Sequence, residues 1–393
     1  MKHLGDITKI NGGKIEPVHV ITFGSPCQDL SIAGKQTGLA GERSGLFTEA
    51  VRIIKEMREA TNGKYPAFAI WENVPGAFSS NKGEDFRTVL EEICRISDST
   101  VSVPRPQKGK WNTAGTIMGN GWSAAWRVLD AQYWGVPQRR RRIYLVADFR
   151  GERAGEILFK PQNMPKASFT CSAPEHQNSA NTAGGFNNTG ARIIHSPVIC
   201  LVGNTLNRSV NSGGAGQGWQ YNISYTLTTK DYHAVMFDNH GQDHRISGPL
   251  DVAATVTQSY GTGGNNTPMV CELNPIKAKL IRRITPLECE RLQGFPDGWT
   301  DIPTCRINGK LIKTSDSARY RALGNSVAIP CVTYVLGNIS RFLAAGATLG
   351  SLFDGIGGFP LVWERLHGKD SARWASEIGP FPIAVTMYRF PNR

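Results

Sequence analysis

Leu352-Phe353-Asp354-Gly355-Ile356-Gly357-Gly358-Phe359 is the stretch on which the fold turns. Its glycines let the backbone turn tightly and approach a ligand closely, which is how a nucleotide-binding α/β fold opens. A short glycine motif is common in ordinary turns, so its weight comes from what stands elsewhere. Near the other end, Val18-His19-Val20-Ile21-Thr22-Phe23 is a β-branched run of strand length, followed by Gly24-Ser25-Pro26-Cys27-Gln28. A lone cysteine in a tight turn behind a core strand sits where an open α/β sheet carries its chemistry. If Arg393 were joined to Met1, the glycine turn would precede the cysteine turn. The chain therefore reads as a circularly permuted catalytic domain, with its two ends expected close in space.

Working outward, Ala67-Phe68-Ala69-Ile70-Trp71 and Arg142-Ile143-Tyr144-Leu145-Val146-Ala147 read as further strands, with Trp126, Val128 and Leu129 in another element. Ser44 is expected to cap a helix whose apolar face is Phe47, Ala50, Val51, Ile54 and Met57. Asp29 to Gly45 reads as a long loop. Thr285-Pro286-Leu287-Glu288 is a capping box with proline at the first helical position, and a second helix runs from Val327 to Leu343. A strand holding Gly5-Asp6-Ile7 and a helix ending near Pro391 flank the junction of the ends. Alternating strands and helices argue for a doubly wound parallel α/β sheet. Composition changes after about Arg150: from Ser168 to Met269 the chain is dense in Gly, Asn, Thr and Ser. Tyr225-Thr226-Leu227-Thr228 and Ala254-Thr255-Val256-Thr257 form a weak repeat, each followed by an apolar pair, Ala234-Val235 and Met269-Val270. This middle reads as a separate, mostly β and loop-rich module; an inserted linker is the plainer alternative.

The bulk numbers narrow the class. At 393 residues the chain can bury a large core beside a smaller unit. Its net charge of +12, from 44 Lys+Arg against 32 Asp+Glu, suits a polyanionic partner, although basic proteins are common. The 8 cysteines are scattered without a CxxC pair, so no zinc-ligand spacing and no disulfide framework is read, and no metal is expected. No run has the length of a membrane span, and a reducing cytoplasm is the expected compartment.

Four places could carry chemistry. Most lone cysteines are buried and inert, but Cys27 sits after Pro26 at a strand end beside a long loop. Glu72, at the end of an apolar strand, should have a raised pKa; a capping or salt-bridged acid is the alternative. In Gln138-Arg139-Arg140-Arg141-Arg142, strand alternation puts Arg140 and Arg142 on one face and Arg139 and Arg141 on the other. Such a run is either a solvated face or a pair of fixed donors to an anionic or carbonyl-bearing substrate. Glu377 follows the glycine turn by one strand-like stretch, Arg373-Trp374-Ala375-Ser376, at a distance suited to gripping a ribose.

Together these segments resemble the DNA (cytosine-5) methyltransferase family. The resemblance rests on Pro26-Cys27-Gln28, Glu72-Asn73-Val74, Gln138 with Arg140 and Arg142, Gly324-Asn325-Ser326-Val327, Phe353 with Gly355 and Gly357, and Thr285 to Pro296. His19 departs from it, since similar sequences commonly carry an acid there. The resemblance implies a mixed-sheet S-adenosylmethionine-dependent methyltransferase fold. The catalytic domain would span 1–150 and 276–393, and a target recognition domain 151–275. It implies that Cys27 adds to C6 of a flipped cytosine, Glu72 engages N3 and the amino group, Arg142 holds O2, and Arg140 supports the cysteine loop or a phosphate. S-adenosylmethionine would be held by Phe353, Asp354, Gly355, Ile356, Gly357, Gly358, Glu377, Ile378, Asp6, Ile7, Pro26, Leu46, Asn325 and Val327. Gln28, Ser31 and Arg43 would touch double-stranded DNA. A monomer, in a restriction–modification or phage setting with a cognate endonuclease, is expected. An RNA cytosine methyltransferase and an inactive DNA-binding relative are the rival readings.

Overall fold

The computed structural model describes residues 1–25, 45–106, 109–159, 255–258, 260, 283–307 and 309–391, together with the backbone of strands between 199 and 282. In chain order the first stretch holds β1 (Lys2–His3), β2 (Val20–Phe23), α1 (Leu46–Ala60), β3 (Phe68–Asn73), α2 (Glu84–Cys94), β4 (Ala114–Gly119), β5 (Trp122–Asp130), β6 (Arg141–Asp148) and α3 (Ala154–Phe159). The middle holds β7 (Ile199–Leu201), β8 (Trp219–Tyr221), β9 (Ala234–Asn239), β10 (Ile246–Leu250), β11 (Met269–Glu272) and β12 (Leu280–Arg283). Then come α4 (Pro286–Gln293), β13 (Cys305–Ile307), β14 (Lys310–Ile312), α5 (Asp316–Asn325), α6 (Ile329–Ser340), β15 (Leu349–Leu352), α7 (Gly358–His367), β16 (Ala372–Ser376) and α8 (Pro380–Arg389).

Eight strands form one sheet in the order β1-β16-β15-β2-β3-β6-β5-β4. From β1 to β3 neighbours run parallel; β6, β5 and β4 continue antiparallel. The sheet is thus mixed, and the wholly parallel reading fails at its β6 edge. The last two strands of the chain are inserted between its first two. The ends adjoin as well: the Met1 amine lies 3.5 Å from the Phe390 carbonyl oxygen, and Leu4 N donates to Ala375 O at 2.8 Å.

Helices cover both faces, so the central strands are buried throughout and read as apolar runs. Alternate residues divide between two cores. Val20, Phe68, Ile70, Tyr144 and Val146 pack with α3, α6 and α7, while Ile21, Phe23, Ala69, Trp71, Ile143 and Leu145 pack with α1 and α2. Gly350 is required where β15 crosses β16, because a Cβ there would strike the Trp374 ring.

Helix α4 has the capping box, with Thr285 Oγ1 accepting from Glu288 N and Glu288 Oε2 from Thr285 N. Several expectations shift. Gly45, without a side chain to cap with, holds the N-cap position of α1, and Ser44 lies outside the described residues, as does nearly all of the loop from Asp29. Gly5-Asp6-Ile7 is not a strand: Asp6 caps a 3-10 turn at Ile7–Lys9, and the strand is β1. The long helix starts at Ile329, with Pro330 in its first turn.

Helix α3, beyond residue 150, still packs on the large sheet through Ala154, Ile157 and Leu158. Beyond it, β10-β9-β11-β12 form a separate four-stranded sheet and β7-β8 a pair. The apolar pairs of the weak repeat fall in neighbouring strands, β9 and β11, whereas Tyr225 to Thr228 lie outside the described residues. That sheet reaches Arg283, past the boundary read at 275.

Candidate active site

The parallel strands β2, β3, β15 and β16 end at one edge, where antiparallel β6 begins, so their loops converge there. Cys27, Pro26, Gln28, Ser31 and Arg43 lie outside the described residues. The approach to Cys27 is described and is held firmly. Trp71 Nε1 donates to Ser25 Oγ at 3.1 Å, and Asn73 Nδ2 donates to the Ser25 carbonyl at 3.3 Å. Asn73 Oδ1 in turn accepts from Val74 N at 2.8 Å. The strand carrying Glu72 therefore also anchors the chain two residues before Cys27. Sequence reasoning gave neither Ser25 nor Asn73 a role; their buried, short polar side chains at two adjacent strand ends were the available signal.

Glu72 is opposite Tyr144 across β3 and β6, and its carboxylate pairs with Arg142 Nε at 3.2 Å. The two side chains are 12% and 16% exposed, enough for a ligand to reach them. Burial pushes the Glu72 carboxyl above its ordinary range, while Arg142 first and Arg140 second pull it back. Such an acid holds its proton more tightly than an exposed carboxyl does. Gly24 lies against it, where a Cβ would come 3.4 Å from Oε2.

The arginine run alternates as expected: Arg139 and Arg141 are exposed, Arg140 is 2% exposed and Arg142 turns to Glu72. Arg140 has described partners away from this edge, while the cysteine loop it was expected to support lies outside the described residues. Its guanidinium donates to the carbonyls of Val256 and Gly324, each at 3.1 Å, and to Ser326 O. It ties the Gly324–Val327 motif and the edge of the middle region to β6, a positioning task.

On the other side, Leu352 leads into a turn in which Phe353, Gly355 and Gly357 have φ of +55°, +59° and +81°. Glu377 Oε2 accepts from Gly355 N at 2.9 Å, and its Oε1 accepts from Ile378 N at 2.9 Å and Gly379 N at 2.7 Å. The acid thus stitches the glycine turn to the end of β16. A Cβ on Gly355 would meet nothing within 4 Å, so space stands above it. Ile378 is 71% exposed beside it, with Phe353 half-buried. An open turn, a neighbouring acid and an exposed apolar side chain fit a nucleoside-bearing donor.

The remaining cofactor expectations divide. Asp6 is half-exposed, its Oδ1 accepting from Thr8 N and Oγ1 at 3.0 and 2.9 Å. Leu46, first in α1, is half-buried and Asn325, last in α5, is exposed. Val327 packs directly under Gly358, where a Cβ would press on its methyl. Ile7 and Ile356 are buried at 4% and 0%, so their side chains belong to the core; Ile356 offers its carbonyl to Trp299 Nε1. Asp354 is also buried, with neither carboxylate oxygen hydrogen-bonded by a described residue.

His19 Nδ1 accepts from Thr348 N at 3.0 Å at the opposite end of β2, tying β2 to β15 away from this edge. Among the described residues no single helix is long and apolar enough to cross a membrane.

The family model described as C-5 cytosine-specific DNA methylase matches residues 1–97 and 113–341, which leaves the glycine turn beyond the match. A protein of Escherichia phage P1 named a DNA N-6-adenine-methyltransferase is 28% identical over 419 residues, covering 86% of this chain. The type II methyltransferase M.BsuFI of Bacillus subtilis is 26% identical over 345 residues, again 86% of this chain. The chain spans 55% and 62% of the lengths of these two relatives. Among solved structures, the S. pombe Dnmt2 methyltransferase is similar with a TM-score of 0.42 and 14% identity, over 86% of this chain and 83% of that one.

Proposed function

The chain belongs to the C-5 cytosine-specific DNA methylase family, and from that premise we propose that it methylates C5 of cytosine in duplex DNA, with S-adenosylmethionine as donor, in a restriction–modification or phage setting. The observation that carries the reading is the Glu72–Arg142 pair, partly reachable and beside the anchored approach to Cys27. Phe353, Gly355, Glu377, Ile378 and Asp6 would hold the donor. When bound, the donor supplies an electrophilic methyl group; the residues of this chain supply the rest.

A cytosine within a duplex is out of reach, so the target base must be flipped into the pocket. The Cys27 thiolate would then form a bond to C6, making C5 nucleophilic. Glu72, with its raised pKa, would give a proton or hydrogen bond at N3 as charge builds there, and Arg142 would hold O2. After methylation, loss of the C5 proton to a base and departure of the Cys27 sulfur restore the aromatic ring and the thiolate. The arrangement of strands in the sheet supports a further element of the proposal: the order along the chain is a circular permutation of the family order. β15 and β16, with the glycine turn after β15, are the last strands in sequence yet lie between β1 and β2 in the sheet.

The test is covalent trapping. With S-adenosylmethionine present, a duplex containing 5-fluorocytosine should yield a protein–DNA adduct that survives denaturation and is absent from Cys27→Ser. Bisulfite sequencing of DNA from cells expressing the protein reports the target. Absence of an adduct across a random-sequence duplex library would refute the mechanism.

A further inference from the structure

Two buried rings support the glycine turn from within. Trp299 Nε1 donates to Ile356 O at 2.8 Å, and Phe390 packs so close to Gly357 that a Cβ there would come 2.7 Å from its ring. The rings meet edge to face, with 5.9 Å between centroids. The same two rings, with Leu361, floor an open cleft of about 320 Å³ between α7 and α8. None of the residues assigned to the donor lines this cleft.

Its rim is cationic. Arg365 on α7, Lys369 just beyond that helix and Arg389 at the end of α8 share the rim with a single acid, Glu364. The acid is turned to the chain: its Oε1 accepts from Asp370 N at 3.0 Å, and burial foremost raises its pKa. Arg365 is exposed, and desolvation lowers its pKa with no carboxylate acting against it. Arg389 is fixed, donating through Nε to Trp299 O at 2.9 Å and through Nη2 to Gly298 O and Asp301 O. Each of these cations ends or follows a helix, where positive charge is favoured. That preference does not require three of them to converge on one apolar floor. Three cations against one acid leave an excess of positive charge that a phosphate monoester dianion balances. The floor of rings adds room for an apolar body.

We propose that this cleft binds a small phosphate monoester whose apolar ring lies on Trp299 and Phe390, and that its occupancy changes donor affinity through the rings it shares with the glycine turn. The coupling rests on reading that turn as the S-adenosylmethionine site; the cleft itself does not.

Phenyl phosphate is the probe, titrated by calorimetry into the full chain beside inorganic phosphate and phenol. It should bind about fivefold or more tightly than either. Arg365→Met and Lys369→Met should each weaken it about fivefold or more, and urea midpoints should verify folding. If inorganic phosphate binds as well as phenyl phosphate, the rings take no part and the ligand class is wrong. Equal binding by wild type and both variants would place the probe elsewhere and remove the site. For the coupling, S-adenosylhomocysteine affinity should change by about threefold or more at saturating phenyl phosphate, and an unchanged affinity overturns it. If S-adenosylhomocysteine does not bind wild type at all, the donor reading falls, while the phenyl phosphate titrations still decide the cleft.

Discussion

Asp354 offers a sharp test, because its surroundings disfavour its charge. Both carboxylate oxygens are buried without a hydrogen bond from a described residue. Burial raises its pKa from 3.8 to about 7; the nearby Ser351 hydroxyl draws it down and the Glu377 carboxylate adds to the rise. The folded protein therefore keeps a proton that the unfolded chain has already released. It follows that the group's contribution to stability is full below its unfolded pKa and is lost as pH rises through the folded one. The shift of about three pH units corresponds to a total loss of about 4 kcal/mol, complete somewhat above neutrality. From about pH 5 to about pH 8 the loss is about 3 kcal/mol. Asp354→Asn keeps the shape and removes the titration. Urea unfolding of both proteins at the two pH values should show the difference moving by about 3 kcal/mol in favour of the variant at the higher pH. Other titrating groups are common to both proteins and cancel. If the variant tracks wild type within about 0.5 kcal/mol across this interval, Asp354 is already ionised at the lower pH and the argument from burial is refuted.

Three further outcomes follow from other features. Removing the exposed Arg139 and Arg141 together should lower the slope of log affinity against log salt by about 2 in DNA-binding titrations if each meets a phosphate, leaving the adenosyl-ligand affinity unchanged; an unchanged slope would place the duplex elsewhere. Asn73→Ala releases the Ser25 carbonyl and should reduce single-turnover methyl transfer by about 100-fold with donor affinity intact, since the cysteine turn loses its anchor; loss of donor affinity instead would contradict that placement. Thr285→Ala breaks the capping box of α4 and should cost about 1 kcal/mol by urea unfolding, with the loss recovered by Ser at that position.

What the sequence could and could not disclose follows from the range of the forces involved. Val20–Phe23 was legible because a strand buried on both faces must be apolar at every position, and Thr285 with Glu288 because a capping box closes within four residues. Glu72's raised pKa was also readable, since an acid ending an apolar strand is desolvated whatever its partner. The hairpin of β4 and β5 was missed although Asn120-Gly121 is a two-residue turn signal and Gly121 has φ of +75°. The described acceptors of Arg140 could not be read for a different reason: Val256, Gly324 and Ser326 are distant in sequence, so strand alternation says which arginines share a face but not what they meet. That the side chains of Ile7 and Ile356 are buried in the core was not legible, because a motif position speaks for the path of the backbone and not for the direction of the side chain.

The first and last strands meet at a short seam. β1 contributes only two register pairs to β16, Lys2 with Trp374 and His3 with Ala375. Around that short edge, contacts join the two ends of the chain: Leu4 N to Ala375 O, Ser376 Oγ to Gly5 O, His3 Nε2 with Thr386 Oγ1, and Trp374 Nε1 to Glu16 O. Edge strands with few ladder bonds open first in local unfolding. Here the opening would carry Asp6, which follows Gly5, away from Glu377, which follows Ser376. Were the donor to bridge Asp6 and Glu377 as proposed, its binding would oppose that opening by mass action. Arg52, bonded to the carbonyls of Ile7 and Ile10, and Glu56, bonded to Gly12 N, hold the same segment from the α1 side and limit how far it can travel when β1 frays.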